Sequence, residues 1–187
     1  MFYRHIDDHL CLKLVSPFDA EAFFAIIDAE RDRLGRWLPW VWAMNSVEEE
    51  RKSLADLTGW PPPKQICTAL VLDGQVIGSV GLPTIDLDAK WAEIGYWIGS
   101  AHEGKGYVTS GVRELEKLVF LDLGLAKTQI SVDVDNVRSR SIPERLGYSL
   151  DGTLRRSLIS DNSGRVADRC VYSLLREEWD ARESANP

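Results

Sequence analysis

The sequence predicts a mixed α/β domain, and three observations predict it. Runs of β-forming residues and runs of helical period follow one another in the order β-α-α-β-β-β-α-β-α-β-β. Asp73-Gly74 stands between two apolar runs, which is the signature of a tight hairpin. The stretch E-I-G-Y-W-I-G-S-A-H-E-G-K-G-Y-V-T-S-G, Glu93 to Gly111, reads as a strand, a glycine-punctuated loop and the start of a helix. At 187 residues the whole chain, 1–187, suits one domain with room for a substantial core.

Composition excludes several function classes. The formal charge of −7, with no basic run, argues against a nucleic-acid binder. It would favour a cationic amine through its field, although solubility explains it equally well. Cys11, Cys67 and Cys170 are widely spaced with no C-x-x-C, so they read as small buried hydrophobes in a reducing compartment. His5, His9 and His102 offer no ligand spacing, and no metal site is expected. The sequence opens without a basic-then-apolar leader, and no apolar run approaches membrane-spanning length. A cytoplasmic protein with no membrane partner is expected, either monomer or homodimer.

Taken in order, residues 9–15 alternate as a first strand with Leu10, Leu12 and Leu14 on one face. Ser16-Pro17 opens a helix carrying Phe18, Ala22, Phe23, Ile26 and Ile27 at helical spacing, ended by Gly35. In R-W-L-P-W-V-W, Trp37, Trp40 and Trp42 crowd around Pro39; such tryptophans either pack under a helix pair or wall a pocket. Ser46 and Glu49 have capping-box spacing for a second helix, which fades near Thr58-Gly59. Pro61-Pro62-Pro63 reads as a stiff exposed connector. Strands follow over 65–72 and 76–82, then a turn at 85–89 and a strand over 90–98.

The helix after the glycine loop sets Val112, Leu115, Leu118 and Val119 on one face, opposite Arg113, Glu114 and Lys117, with Gly124 as its cap. Residues 127–134 form a strand with Ile130, Val132 and Val134 inward, and Ser131 and Asp133 on the other side. A short helix over 137–146 stops at Gly147. Strands over 148–159 and 165–175 are joined by D-N-S-G, and Trp179 ends the apolar pattern.

Gly104 and Gly106 bracket Lys105 just before the helical period begins at Val108. Glycines there let backbone N–H groups turn together toward a ligand, and the helix start adds partial positive charge. The loop therefore suits a phosphate or pyrophosphate; a plain strand-to-helix turn is the alternative. The Walker pattern and the dinucleotide fingerprint are both absent.

E-I-G-Y-W-I followed by G-K-G-Y-V-T resembles the acetyl-CoA site of the GNAT N-acetyltransferases, in the RimJ/RimL-like branch. D-N-V-R-S-R-S-I-P-E-R-L-G-Y, Asp135 to Tyr148, resembles the second signature of that branch. With W-L-P-W and D-R-C-V-Y-S-L-L, the resemblance covers most of the chain. It implies a GNAT-like α/β (α+β) domain: a mixed, mostly antiparallel sheet flanked by helices and splayed between its fourth and fifth strands, with acetyl-CoA in the gap.

By that resemblance, Gly104, Lys105, Gly106, Tyr107, Val108 and Thr109 form the pyrophosphate loop, and Trp97 and Ile98 pair their backbone with the pantetheine arm. Glu103 stands where the family has Gln or Arg, and Val108 where it has a small residue. Glu103 must then point away from phosphates or bond backbone groups. Asn136, on sequence alone a strand-end turn and helix cap, would contact the cofactor arm. The Ser139 slot implies the acid that protonates the departing thiolate, with Ser141 as fallback. Glu93, otherwise a solvated or salt-bridged strand residue, lies where some family members keep a general base. Leu158 fills a slot where some RimL-like enzymes carry a carboxylate, and Asp133 is a weaker base candidate. Trp37, Trp40 and Asp168 are placed on the acceptor side. The expected activity is transfer of an acetyl group from acetyl-CoA directly to a primary amine, such as a protein or peptide N-terminus. The alternatives are a small-molecule amine acceptor (polyamine, aminoacyl nucleotide or antibiotic) or an acyl-CoA binder without chemistry.

Overall fold

The computed structural model describes residues 3–57, 64–161 and 163–185. Eight strands form a single sheet in the order β1-β2-β3-β4-β5-β6-β8-β7. They are β1 (Tyr3–His5), β2 (Leu10–Leu14), β3 (Ile66–Leu72), β4 (Gln75–Asp86), β5 (Trp91–Ile98), β6 (Lys127–Asp133), β7 (Ser149–Ile159) and β8 (Val166–Leu175). The helices are α1 (Ala20–Ala29), α2 (Arg31–Gly35), α3 (Val47–Leu57), α4 (Tyr107–Lys117), α5 (Val137–Leu146) and α6 (Arg176–Ala185). Thr58-Gly59, the triple proline and Asn162 of the D-N-S-G loop lie outside the described residues.

The hairpin at Asp73-Gly74 forms as its residues dictate. Both have positive φ (48° and 80°), the geometry that joins β3 to β4 without splaying them. All neighbouring strands pair antiparallel except β5 and β6, which are parallel and meet only from Trp91–Lys127 to Glu93–Gln129. Beyond that point the two strands part. This is the expected splay between the strands over 90–98 and 127–134; the added β1 raises each strand number by one.

Apolar side chains fill both faces of the sheet. On one, α4 and the helical turn that continues it lay Val112, Leu115 and Val119 over Leu12, Leu70, Val80 and Ile94. On the other, Phe23 and Ile27 of α1 and Leu54 of α3 cover Val15, Ala69 and Val71. Each such side chain, fully buried, contributes about 1.5–3 kcal/mol.

Several sequence expectations are corrected. The first helix does not begin at Pro17. Pro17–Asp19 makes a tight turn in which the Asp19 carboxylate accepts from the Ser16 N–H at 2.8 Å and pairs with Lys13. The helical phase therefore starts at Ala20, leaving Phe18 92% exposed and Ala22 exposed. Gly35 is needed less as a stop than as a space: a Cβ there would lie 2.3 Å from the Trp42 indole nitrogen, which donates to the Gly35 carbonyl at 3.1 Å. In the α3 cap, Ser46 Oγ accepts from the Glu49 N–H at 3.2 Å, but Glu49 reaches the Asn45 N–H, one residue before the expected partner. Ile85 and Asp86 belong to β4, so the turn is shorter than expected.

Glu114 is buried, not on an exposed face, because Arg4 of β1 bonds it at 2.8 Å. Glu116 is likewise buried, paired with Arg182 of α6. Asp133 is also buried. The strand β1 and the helix α6 were both missing from the sequence reading. Three residues carry no period, and R-E-E-W-D-A-R-E-S-A offers one large apolar anchor, Trp179, which packs on Phe120 at 5.3 Å.

Candidate active site

The parting of β5 and β6 leads straight into the glycine loop. After β5 the chain makes a short turn over Ser100–His102, passes Glu103 to Gly106 and enters α4 at Tyr107. Gly104 and Gly106 have φ of +73° and +84°, and a Cβ at either would meet nothing within 4 Å. The space beside them is open. Gly106 is the N-cap and has no side chain to satisfy the first N–H groups of α4, so those donors and the positive end of the helix face that space. Lys105 is exposed between the glycines. Val108 turns inward to the core against α4's own apolar face, so its bulk is absorbed there and does not crowd the loop.

The Glu103 side chain is taken up by two arginines and not by backbone groups. Its carboxylate accepts from Arg33 Nη1 at 2.7 Å and from Arg138 Nη1, one guanidinium on each oxygen. Arg33 also donates to the Ile98 carbonyl at 2.8 Å, so that acceptor is occupied in this structure.

On the β6 side, Asn136 caps α5, its Oδ1 accepting from the Ser139 N–H at 3.2 Å. Ser139 faces Tyr96 of β5 across the gap. The Tyr96 hydroxyl donates to the Ser139 carbonyl at 2.9 Å and accepts from Ser139 Oγ at 3.3 Å. Burial pushes the Tyr96 phenol well above its usual pKa, so it stays protonated. Sequence reasoning missed Tyr96, although its place three residues beyond Glu93 on the same strand could have flagged it. Ser141 Oγ instead donates back to the Arg138 carbonyl at 2.7 Å.

Strand alternation puts Tyr96 and Glu93 on opposite faces of β5. Ala92, Ile94, Tyr96 and Ile98 pack toward α4, whereas Trp97, in phase with Glu93, packs toward α1. Phe23 meets the Trp97 ring edge-on at 5.5 Å and Trp40 lies 6.4 Å from it. The structure thus brings Trp40, Trp97 and Glu93 to one face of the strand. Trp37 stacks under the Arg36 guanidinium at 4.9 Å. Asp168 sits on β8, beyond β6, where its carboxylate accepts the N–H of Arg156, a residue with φ of +50°. That contact anchors an irregularity in β7 and does not join Asp168 to the tryptophans. Asp133 is buried, and its carboxylate is held by Arg165 at 2.7 Å.

Among the described residues no group of three or more His, Cys, Asp or Glu side chains is placed to hold a metal ion, and no helix is long and apolar enough to cross a membrane.

A sheet that opens between two parallel strands above a glycine loop at a helix start is the architecture of an acetyltransferase. The model of the acetyltransferase (GNAT) domain matches residues 9–149, and the chain belongs to that family as an N-acetyltransferase. It is 34% identical to YdaF of Bacillus subtilis (strain 168), named as a candidate ribosomal N-acetyltransferase, over 98% of this chain and 100% of that one. A crystal structure of a probable acetyltransferase superposes with a TM-score of 0.89 at 34% identity, covering 96% of this chain and 99% of its own. RimL, a ribosomal L7/L12 alpha-N-protein acetyltransferase solved with coenzyme A, shares the fold at a TM-score of 0.87 and 19% identity, covering 95% and 99% of the two chains.

Proposed function

We propose that the chain acetylates a primary α-amine, such as that of a protein or peptide N-terminus, using acetyl-CoA held in the β5–β6 gap. One observation carries this reading: an unpaired strand edge runs into an open glycine loop at the start of α4, with a serine hydroxyl across the gap. The names of YdaF and RimL add support for a ribosomal-protein α-amine as acceptor.

The residues fit the cofactor. Open glycines, helix N–H groups at the start of α4 and Lys105 suit a pyrophosphate, and the N–H and C=O groups of β5 beyond Glu93, except the Ile98 carbonyl that Arg33 holds, suit an amide-bearing arm. When bound, acetyl-CoA supplies the activated acetyl thioester. Trp40 and Trp97 offer an apolar wall that shields the amine from water. Glu93, on the same face, takes the proton that the amine loses as its nitrogen bonds to the acetyl carbon, directly or through one water. As the carbon–sulfur bond breaks, Ser139 gives its hydroxyl proton to the thiolate and takes one back from solvent water as the thiol leaves, with Tyr96 fixing the orientation of that hydroxyl. A thiolate of pKa about 8.5 gains from a nearby O–H as charge develops.

The test is thiol release from acetyl-CoA with a panel of N-terminal peptides, lysine peptides and polyamines. Turnover led by the N-terminal peptides is expected. Cofactor binding without turnover on any amine would reject the catalytic reading, and a clear polyamine preference would reject the acceptor.

A further inference from the structure

Glu103 is a carboxylate in a loop otherwise shaped for an anion, and its two oxygens go to two arginines that are held very differently. Arg33, on α2, also bonds the Glu30 carboxylate at 2.7 Å and the Ile98 carbonyl at 2.8 Å. Glu30 is itself fixed by the Ser100 N–H at 2.9 Å and the Ser100 hydroxyl at 2.8 Å. Arg33 is therefore built into the rim. Arg138 lies in the first turn of α5 with its side chain 75% exposed, and it reaches Glu103 at its tip. Glu103 follows β5 and Arg138 follows β6, so this ion pair crosses the mouth of the gap.

We propose that the Glu103–Arg138 ion pair is a latch across the cleft, and that a phosphate of CoA takes the Arg138 guanidinium from Glu103 on binding. The proposal rests on the reading of the Gly104–Gly106 loop as a CoA site. An ion pair with one partner largely in water is weak and readily exchanged. A phosphate offers that guanidinium an anionic, fork-matched acceptor in place of a carboxylate. Arg33 stays on the other Glu103 oxygen throughout and keeps that carboxylate tied to α2, while sharing its single charge with Glu30. Arg138 then supplies the cationic contact from across the gap.

The two partners then have opposite effects on affinity, which a merely structural ion pair would not produce. Calorimetry with CoA, and with pantetheine as the phosphate-free control, measures them. Glu103→Gln opens the latch and is expected to tighten CoA binding roughly two- to fivefold. Arg138→Gln loses the phosphate partner and is expected to weaken CoA binding roughly five- to tenfold, with Arg138→Lys restoring part of it. Pantetheine binding is expected to change in neither. The gain from Glu103→Gln should be clearly larger with Arg138 present than in the Arg138→Gln background, where only relief of charge repulsion remains. If Glu103→Gln tightens binding equally with and without Arg138, simple charge removal explains it and the latch is wrong. Weaker CoA binding in Glu103→Gln, or unchanged binding in Arg138→Gln, also overturns the latch. A wild-type chain that binds no CoA overturns the site reading itself and the latch with it.

Discussion

Tyr96 and Ser139 are joined by a pair of hydrogen bonds across the gap where β5 and β6 part, one at 2.9 Å and one at 3.3 Å. The phenol's own proton goes to the Ser139 carbonyl, and its oxygen receives the Ser139 hydroxyl. Because burial raises the phenol's pKa, this arrangement persists across the working pH range. Ser139→Ala is expected to lower kcat roughly ten- to thousandfold with little change in acetyl-CoA binding. Tyr96→Phe keeps the ring and removes only the oxygen that orients the hydroxyl, so a smaller loss of about tenfold is expected. Single-turnover rates separate the two, and a larger loss in Tyr96→Phe would make the phenol the acid instead.

At the glycine loop, Gly106→Trp tests where the cofactor lies. A Cβ at Gly106 would meet nothing within 4 Å, so the side chain starts into open space, although φ of +84° costs an L-residue about 1–2 kcal/mol. The variant is therefore expected to fold with a somewhat lower Tm and to lose CoA binding. Calorimetry showing wild-type affinity in a folded variant would remove the loop from the site.

Glu50 gives the protein a pH-dependent stability unrelated to catalysis. It is 4% exposed on α3, and burial raises its carboxyl from 4.5 to about 7. Between those values the folded chain keeps a proton that the unfolded chain has released. Stability therefore falls as pH rises through this window, and the loss is complete above about pH 7, amounting to about 3 kcal/mol. Glu50→Gln removes the titration. Its Tm is expected to exceed the wild type's by about 5–10 °C at alkaline pH and to differ little near the acid end of the window. Melting curves at the two ends check this, and equal shifts at both would show that Glu50 does not titrate there.

How far the sequence carries varies with how local the cause is. The hairpin at Asp73-Gly74 and the loop at Gly104–Gly106 were legible because their φ values are demands on single residues, met by Asp and Gly. The β5–β6 splay was legible only through resemblance, since nothing in either strand's alternation says where their pairing stops. Contacts between distant segments were not legible. Glu114 looked like a surface residue because its partner, Arg4, lies 110 positions away. Glu103 looked like a repulsive intruder because its neutralising arginines come from α2 and α5. Asp168 looked free because the turn at Arg156 that it anchors has no sequence signature.

On the acceptor side, Trp40 is the aromatic that tests wall against core. It is 40% exposed and tilted over Trp97, on the face of β5 that carries Glu93. Trp40→Ala is expected to raise the acceptor KM more than the acetyl-CoA KM, with Tm nearly unchanged. Equal rises in both, together with a drop in Tm, would show that the ring serves packing.

Glu93 decides which amines the site can use. It stands at the last paired position before the strands part, on the face of β5 shared with Trp97 and Trp40. Leu158 cannot take a proton, and Asp133 is committed to Arg165. A single carboxylate acting directly or through water is a modest base, so the acceptor's own pKa matters. An α-amine of pKa about 8 is already about one-tenth neutral at pH 7, whereas a lysine amine of pKa about 10.4 is neutral in less than roughly one part in a thousand. The site is therefore expected to prefer α-amines to lysine side chains by a wide margin in kcat/KM. Glu93→Gln is expected to slow turnover most below about pH 8 and to be partly rescued at higher pH, where the acceptor deprotonates without help. An unaltered pH–rate profile in Glu93→Gln would take Glu93 out of the reaction, and a preference for lysine side chains would overturn the argument from acceptor pKa.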